Sequence, residues 1–162
     1  MTRDYRSIVE QLAGRLAPDA TAEDRMSAVA DALWDALAGV SWVGFYTERP
    51  GAPESERLVL GPSRDTPACS PIGLHGVCGA ACSSGRTQIV RDVTDLGEYY
   101  VACNPRDRSE IVVPLVGDDG RVSGVLDLDS FDTGSFDESD DAGLRAVLLA
   151  AGLTPAGPGG DG

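Results

Sequence analysis

The sequence predicts a single α+β domain: an antiparallel sheet with helices packed on one face and a loop-covered pocket on the other. Three observations lead to this prediction. Apolar residues recur at helical spacing towards both ends of the chain, short apolar runs rich in β-branched residues fill its middle, and the turn Asp118-Asp119-Gly120 joins two of those runs as a hairpin. A length of 162 residues suits one domain with a real core and is too short for two comfortable ones.

The composition limits the partners and the compartment. A net charge of -13 argues against nucleic acid and against anionic membrane surfaces as partners. No apolar segment approaches the length of a membrane span, and the N-terminus lacks the apolar core of a signal peptide, so we expect a cytoplasmic protein.

Four cysteines in a reducing compartment suggest metal binding, redox chemistry or packing rather than a disulfide framework. Zinc is the weakest of these interpretations, because there is no C-x-x-C pair and His75 is the only histidine. We therefore expect neither a metal nor a cofactor.

The first predicted elements are helices. Apolar residues at helical spacing make residues 1–19 a helical lead-in, and Thr21 with Asp24 resembles a capping pattern for a second helix that ends at Gly39. The expected organisation is a lead-in over 1–19, a single domain over 20–153 and a disordered Pro/Gly tail over 154–162.

Short runs of apolar residues then predict the strands, which cover 42–46, 58–60, 87–90, 110–116 and 122–129. Trp42 and Tyr46 share one face of the first strand, because side chains alternate along a strand. By the same alternation Asp127 and Asp129 share a face of the last strand, and Glu110 opens its hairpin partner. A final amphipathic helix ends near Gly152.

The thiols lie in two kinds of sequence. Cys69 and Cys103 belong to two long turn-rich loops, which in a compact domain are usually functional or disordered. Cys78 begins a short helix of small residues that ends near Gly85, where a cysteine also packs well as a small hydrophobe. Cys82, one turn further on, is interpreted as packing.

The carboxylates of Glu110, Asp127 and Asp129 form a candidate acid cluster. Crowded carboxylates raise the pKa of one another, so one of them can keep a proton near neutral pH and protonate a leaving group. The alternative is a solvated acidic strand face, which is common in a chain this acidic.

The order of short motifs resembles that of the GAF-domain free methionine-(R)-sulfoxide reductases. The motifs are WVGFY (42–46), LVLGP (58–62), PAC (67–69), GVCG (76–79), TQIVRDV (87–93), AC (102–103), SEIVVPL (109–115) and GVLDLDS (124–130). The resemblance covers roughly residues 20–150. It implies a GAF fold with a six-stranded antiparallel sheet, activity on the free amino acid and thioredoxin as the reductant. The chain departs from the family pattern over 97–104, where Asn104 replaces an expected aspartate.

The resemblance also implies roles for the residues. Cys103 would attack the sulfoxide sulfur, Cys69 would resolve the product as a disulfide with Cys103, and Cys78 would substitute for Cys69 or relay. The acid cluster would protonate the oxygen and hold the substrate ammonium. Trp42 and Tyr46 would enclose the S-methyl group, although ordinary core packing explains Tyr46 equally well.

Two other functions fit the same fold. One is a non-catalytic GAF module that binds a small molecule and signals by dimerisation, and the other is a thiol redox sensor without turnover. A homodimer is possible in every case. The cysteine set and the acid cluster favour the enzyme, because a sensor pocket needs neither.

Overall fold

The computed structural model describes residues 3–64, 68–99 and 104–155, without the side chains of residues 98 and 99. Cys103 and residues 156–162 of the predicted tail lie outside this part of the chain. The described helices are α1 (Tyr5–Arg15), α2 (Ala22–Ala36), α3 (Val77–Ser84) and α4 (Glu138–Ala150). The described strands are β1 (Trp42–Glu48), β2 (Leu58–Arg64), β3 (Gln88–Val90), β4 (Ser109–Val116) and β5 (Val122–Ser130).

The five strands form one antiparallel sheet in the order β2-β1-β5-β4-β3. The α+β class is therefore confirmed. The described residues form five strands, whereas the resemblance implied six. After β3 the chain forms 3-10 turns over Val93–Tyr99, with Gly97 at a φ of 55°, instead of a further strand. β2 is longer than predicted and runs through Gly61-Pro62. Proline is tolerated there because β2 is an edge strand.

The main hydrophobic core lies between the sheet and three helices. Side chains from α1, α2 and α4 pack on the alternate strand residues that face them, among which Phe45, Ile111 and Leu128 are fully buried. α1 contributes Tyr5 and Leu12 to this core, so the predicted lead-in packs against the same sheet as the other two helices.

The helix boundaries follow local signals. Thr21 Oγ1 accepts a hydrogen bond from Asp24 N (3.1 Å), and Asp24 Oδ2 accepts one from Thr21 N (3.2 Å), which confirms the capping box. α2 ends at Ala36, short of Gly39, because Leu37 is already extended. Gly152 has a φ of 73° just after α4, which confirms it as the stop signal.

Helix α3 contradicts the prediction that all helices lie on one face of the sheet. Cys78 and Ala81 of α3 pack with Trp42, Tyr46 and the other side chains of a second, smaller cluster on the opposite face of the sheet. Gly79 of α3 lies against the preceding segment, because a Cβ at that position would overlap the backbone of Leu74. None of the helices in the described ranges has the length and apolar composition of a membrane span.

Candidate active site

The candidate site is built on the face of the sheet that α3 covers. Asp129 lies between Trp42 of β1 and Glu110 of β4, its direct cross-strand partners. Asp127 lies between Gly44 and Val112 in the same way. The strand register therefore brings Trp42, Asp129 and Glu110 side by side on three neighbouring strands, although the sequence analysis predicted each of them from its own strand.

The three predicted acids are buried. The exposed fraction is 6% for Glu110, 5% for Asp127 and 8% for Asp129, which excludes the solvated strand face. Burial raises the pKa of all three carboxyls well above the ordinary value, because it disfavours the charged form. Repulsion adds to this effect: Asp127 raises the pKa of Glu110, and Glu110 raises the pKa of Asp129.

A fourth acid, Asp107, belongs to the same region and was missed by the sequence reasoning. Its exposed fraction is 6%, and it accepts a hydrogen bond from Ser41 Oγ at 3.2 Å. Burial raises the pKa of Asp107, and its charge raises the pKa of Asp129. Asp107 stands between Arg106 and Arg108 in the sequence, an order that is compatible with an ion pair. In the structure, however, the Arg106 guanidinium lies over the Phe131 ring, 4.3 Å from its centroid.

The cluster has no basic partner in the part of the chain that the structure describes. Among residues 3–64, 68–99 and 104–155, arginine forms six ion pairs, and none of them includes Asp107 or the three predicted acids. Asp127 Oδ1 is buried and accepts no hydrogen bond from any described group. Buried carboxylates usually have a cation or several donors as neighbours, so the site is electrostatically complementary to a positive ligand group.

Cys78 joins the acids from α3. Its Sγ atom and one carboxylate oxygen each from Glu110 and Asp127 all lie within 4.8 Å of one another. Burial raises the pKa of the Cys78 thiol well above its ordinary value, and the charge of Asp127 adds to the effect. A thiol in this setting is a poor nucleophile in its resting state, because the thiolate is the reactive form.

The other thiols are placed differently. Cys69 is disulfide-bonded, and its carbonyl oxygen accepts a hydrogen bond of 2.9 Å from the Tyr46 hydroxyl. Two backbone hydrogen bonds between Leu58 and Ile72 hold the same loop against β2. Cys82 is a free thiol, half-buried against the smaller cluster, which agrees with its interpretation as packing.

Two aromatic rings line the site beside the acids. The ring centroids of Trp42 and Tyr46 are 6.1 Å apart with an interplanar angle of 34°. Gly44 lies between them in sequence, and the Trp42 indole covers its α-carbon so closely that a Cβ would overlap the ring. The predicted shared face is confirmed, and it offers an apolar surface next to a strongly acidic one.

Comparisons with known proteins agree with this architecture. The GAF domain model matches residues 19–153. The free methionine-R-sulfoxide reductase of Saccharomyces cerevisiae is 38% identical over 120 residues, which are 71% of this chain and 65% of the yeast protein. The match therefore spans just under two thirds of that relative's own length.

Solved structures extend the similarity over nearly the whole chain. The reduced form of the fRMsr of Staphylococcus aureus is 35% identical with a TM-score of 0.82, and the match covers 92% of this chain and 93% of that one. The free methionine-R-sulfoxide reductase of Neisseria meningitidis, in complex with its substrate, is 37% identical with a TM-score of 0.80, covering 92% and 87%. This chain belongs to the GAF-domain family of free methionine-R-sulfoxide reductases.

Proposed function

We propose that this protein reduces free L-methionine-(R)-sulfoxide to methionine. The observation that carries the proposal is the buried group of acids without a basic partner in the described residues, next to Trp42 and Tyr46. A free amino acid brings an α-ammonium that complements this charge, whereas a peptide-bound residue brings a neutral amide. The related reductases are named for the same substrate class.

The acids and the aromatic rings bind different ends of the substrate. Carboxylates of the cluster hold the ammonium, and their burial strengthens the attraction because water does not screen it. The S-methyl end packs on the aromatic pair, since thioether and methyl groups make favourable contacts with aromatic rings. In this proposed binding mode the sulfoxide oxygen lies beside Glu110, Asp127 or Asp129, one of which donates the proton.

The chemistry then proceeds through the thiols. The thiolate of Cys103 attacks the sulfoxide sulfur, the protonated oxygen passes to Cys103 as a sulfenic acid, and methionine leaves. The thiol of Cys69 attacks the Cys103 sulfur, which releases water and forms a disulfide between the two cysteines. A dithiol of the thioredoxin class reduces that disulfide and restores both thiols. The disulfide-bonded state of Cys69 supports its role as the resolving thiol.

Cys78 is the alternative resolving thiol. Its raised pKa and full burial favour a contact with the substrate or packing over nucleophilic attack. We therefore assign the resolving role to Cys69 and expect Cys78→Ser to retain most of the turnover.

The test is NADPH consumption coupled through thioredoxin and thioredoxin reductase. We expect turnover of free methionine-(R)-sulfoxide, loss of turnover in Cys103→Ser, and little turnover of the (S) epimer or of N-acetyl-methionine sulfoxide. Cys82→Ser is the matched control and is expected to keep full activity. No turnover by well-folded protein would refute the proposal. Reversible oxidation of Cys69 and Cys103 without turnover would instead identify a thiol sensor.

Two further properties follow from the proposed chemistry. The thiols must be recycled by reductants, so we place the protein in the cytoplasm. A homodimer remains a prediction, which light scattering at several protein concentrations tests directly.

A further inference from the structure

Three metal-binding donors converge in the site from separate elements. Cys78 lies on α3, Glu110 on β4 and Asp127 on β5, with their donor atoms within 4.8 Å of one another. All three side chains are buried, and their elements pack in one cluster on the same face of the sheet. The donors are therefore held together before any ligand arrives.

The Asp127 side chain supplies a second, independent observation. Asp127 is 5% exposed, and its Oδ1 atom accepts no hydrogen bond from the described residues. A buried polar atom without a partner costs roughly 1–3 kcal/mol, and more when it is charged, so such atoms normally mark a bound water, ion or substrate group.

The carboxylates around the three donors favour the binding of a cation. Asp107 and Asp129 add two carboxylates close to the three donors, and in the described part of the chain none of these acids pairs with an arginine. A divalent ion neutralises this excess of negative charge more completely than a single ammonium does.

The donor types select the metal. A thiolate with two carboxylates suits Zn²⁺, which accepts sulfur and oxygen ligands, whereas Mg²⁺ and Ca²⁺ require oxygen ligands only. Bond lengths of about 2.3 Å to sulfur and about 2.0–2.2 Å to oxygen place tetrahedral ligands about 3.3–3.6 Å apart. The observed donor atoms lie within 4.8 Å of one another, so they need to approach by at most about 1.5 Å to reach this value.

We propose that the reduced protein binds one Zn²⁺ ion through Cys78 Sγ and the carboxylates of Glu110 and Asp127, with water as the fourth ligand. Binding releases to solvent the Cys78 proton and any proton held by the Glu110 and Asp127 carboxyls. The ion occupies the acid cluster in place of the substrate ammonium and so competes with methionine sulfoxide. Metal binding stands independently of the proposed function, and only the competition rests on it.

The first test measures binding without substrate or turnover. Reduced, metal-free protein is titrated with Zn²⁺ against a chromophoric chelator, and with Co²⁺ by following the sulfur-to-cobalt charge-transfer band. We expect one ion per chain. Cys78→Ala should abolish the band, and both Cys78→Ala and Asp127→Asn should weaken Zn²⁺ binding at least about tenfold. Cys82→Ala, one turn further along α3, is the matched control and should bind like the wild type.

Two results would overturn the site. One is unchanged Zn²⁺ affinity in Cys78→Ala, and the other is loss of the cobalt band in Cys69→Ala with retention in Cys78→Ala. Asp127→Asn keeps the side-chain shape and removes a buried charge, so weaker binding by this variant, with an unchanged circular dichroism spectrum, reports the lost ligand.

The second test concerns competition. In the coupled assay, one equivalent of Zn²⁺ should raise the KM for free methionine sulfoxide, and Cys78→Ser should remove this effect. Bound Zn²⁺ that leaves the KM unchanged would refute the competition while the first test still supports the site. A protein that binds Zn²⁺ but reduces no sulfoxide would refute the proposed function and not the metal site.

Discussion

Replacement of Gly44 by alanine tests how closely the aromatic wall of the site is packed. Gly44 faces Ser63 of β2 and Asp127 of β5 across the sheet. An added Cβ would overlap the end of the Trp42 ring, and it would lie 2.8 Å from Trp42 Cζ2 and 2.7 Å from Ser63 Cβ. Carbon atoms in contact are normally about 3.5–4.0 Å apart, so the serine must move by about 0.8 Å and the ring by about 1 Å.

The cost follows from the general penalty for an overpacked site. Extra carbon atoms in a packed region cost about 1–3 kcal/mol, and alanine recovers about 0.5–1 kcal/mol of backbone entropy relative to glycine. Three atoms lie within 2.8 Å of the added Cβ, so the penalty lies in the upper half of its range, and the expected net loss in the free energy of unfolding is about 1–2.5 kcal/mol. For a domain of this size it lowers the Tm by about 2–10 °C. Displacement of the Trp42 ring should also lower kcat/KM by about tenfold or more, because a misplacement of about 1 Å costs up to a hundredfold.

Thermal unfolding followed by circular dichroism measures the first effect, and the coupled reductase assay measures the second. Gly14→Ala is the control, and we expect it to change the free energy of unfolding in the opposite direction. Gly14 is an exposed residue inside α1 with no atom within 4 Å of the added Cβ, so the variant should be stabilised by about 0.5–1 kcal/mol. The reasoning fails if Gly44→Ala melts at or above the wild-type temperature and keeps the wild-type kcat/KM.

Three further predictions concern the core and the site. Leu144→Ala should lower the free energy of unfolding in urea by about 2–5 kcal/mol, since this side chain is fully buried between α4 and the sheet; a loss below about 1 kcal/mol would contradict that packing. Asp107→Asn should raise the KM for free methionine sulfoxide and leave kcat nearly unchanged, because it removes one negative charge from the substrate region; an unchanged KM would exclude Asp107 from ammonium binding. Tyr46→Phe loses the hydrogen bond to the Cys69 carbonyl and should speed alkylation of reduced Cys69, with a loss of about 1 kcal/mol in stability; an unchanged alkylation rate would show that the bond does not restrain the loop.

Much of the fold and part of the site were predictable from the strand pattern. The alternation of Asp127 and Asp129 with Leu126 and Leu128 predicted two faces, and the structure confirms that the leucines enter the main core while the acids face the site. This pattern is reliable because successive side chains of a strand point to opposite faces.

Other features depend on tertiary contacts and were not predictable. The small residues of α3 carry little periodic signal, so the sequence does not indicate which face of the sheet the helix covers; the contacts of Cys78 and Ala81 with the smaller cluster do. Asp107 was missed because it lies in an irregular segment before β4, where no strand or helix periodicity indicates which side chains are buried. Only the folded chain shows Arg106 over Phe131 and Asp107 beside Ser41.

The alternation along β5 also restricts how such a protein can evolve. A one-residue insertion within the strand would turn Asp127 and Asp129 towards the helices and bring Leu126 and Leu128 to the ligand side, so that stability and activity are lost in the same step. Insertions are tolerated better in the segments that connect the strands, which run over the surface. In this chain we expect the departures from the family pattern, around Asn104, to fall in such a connection, between β3 and β4. New ligand preferences should therefore arise by exchange of these connecting segments, while the strands that carry the acids stay unchanged in length.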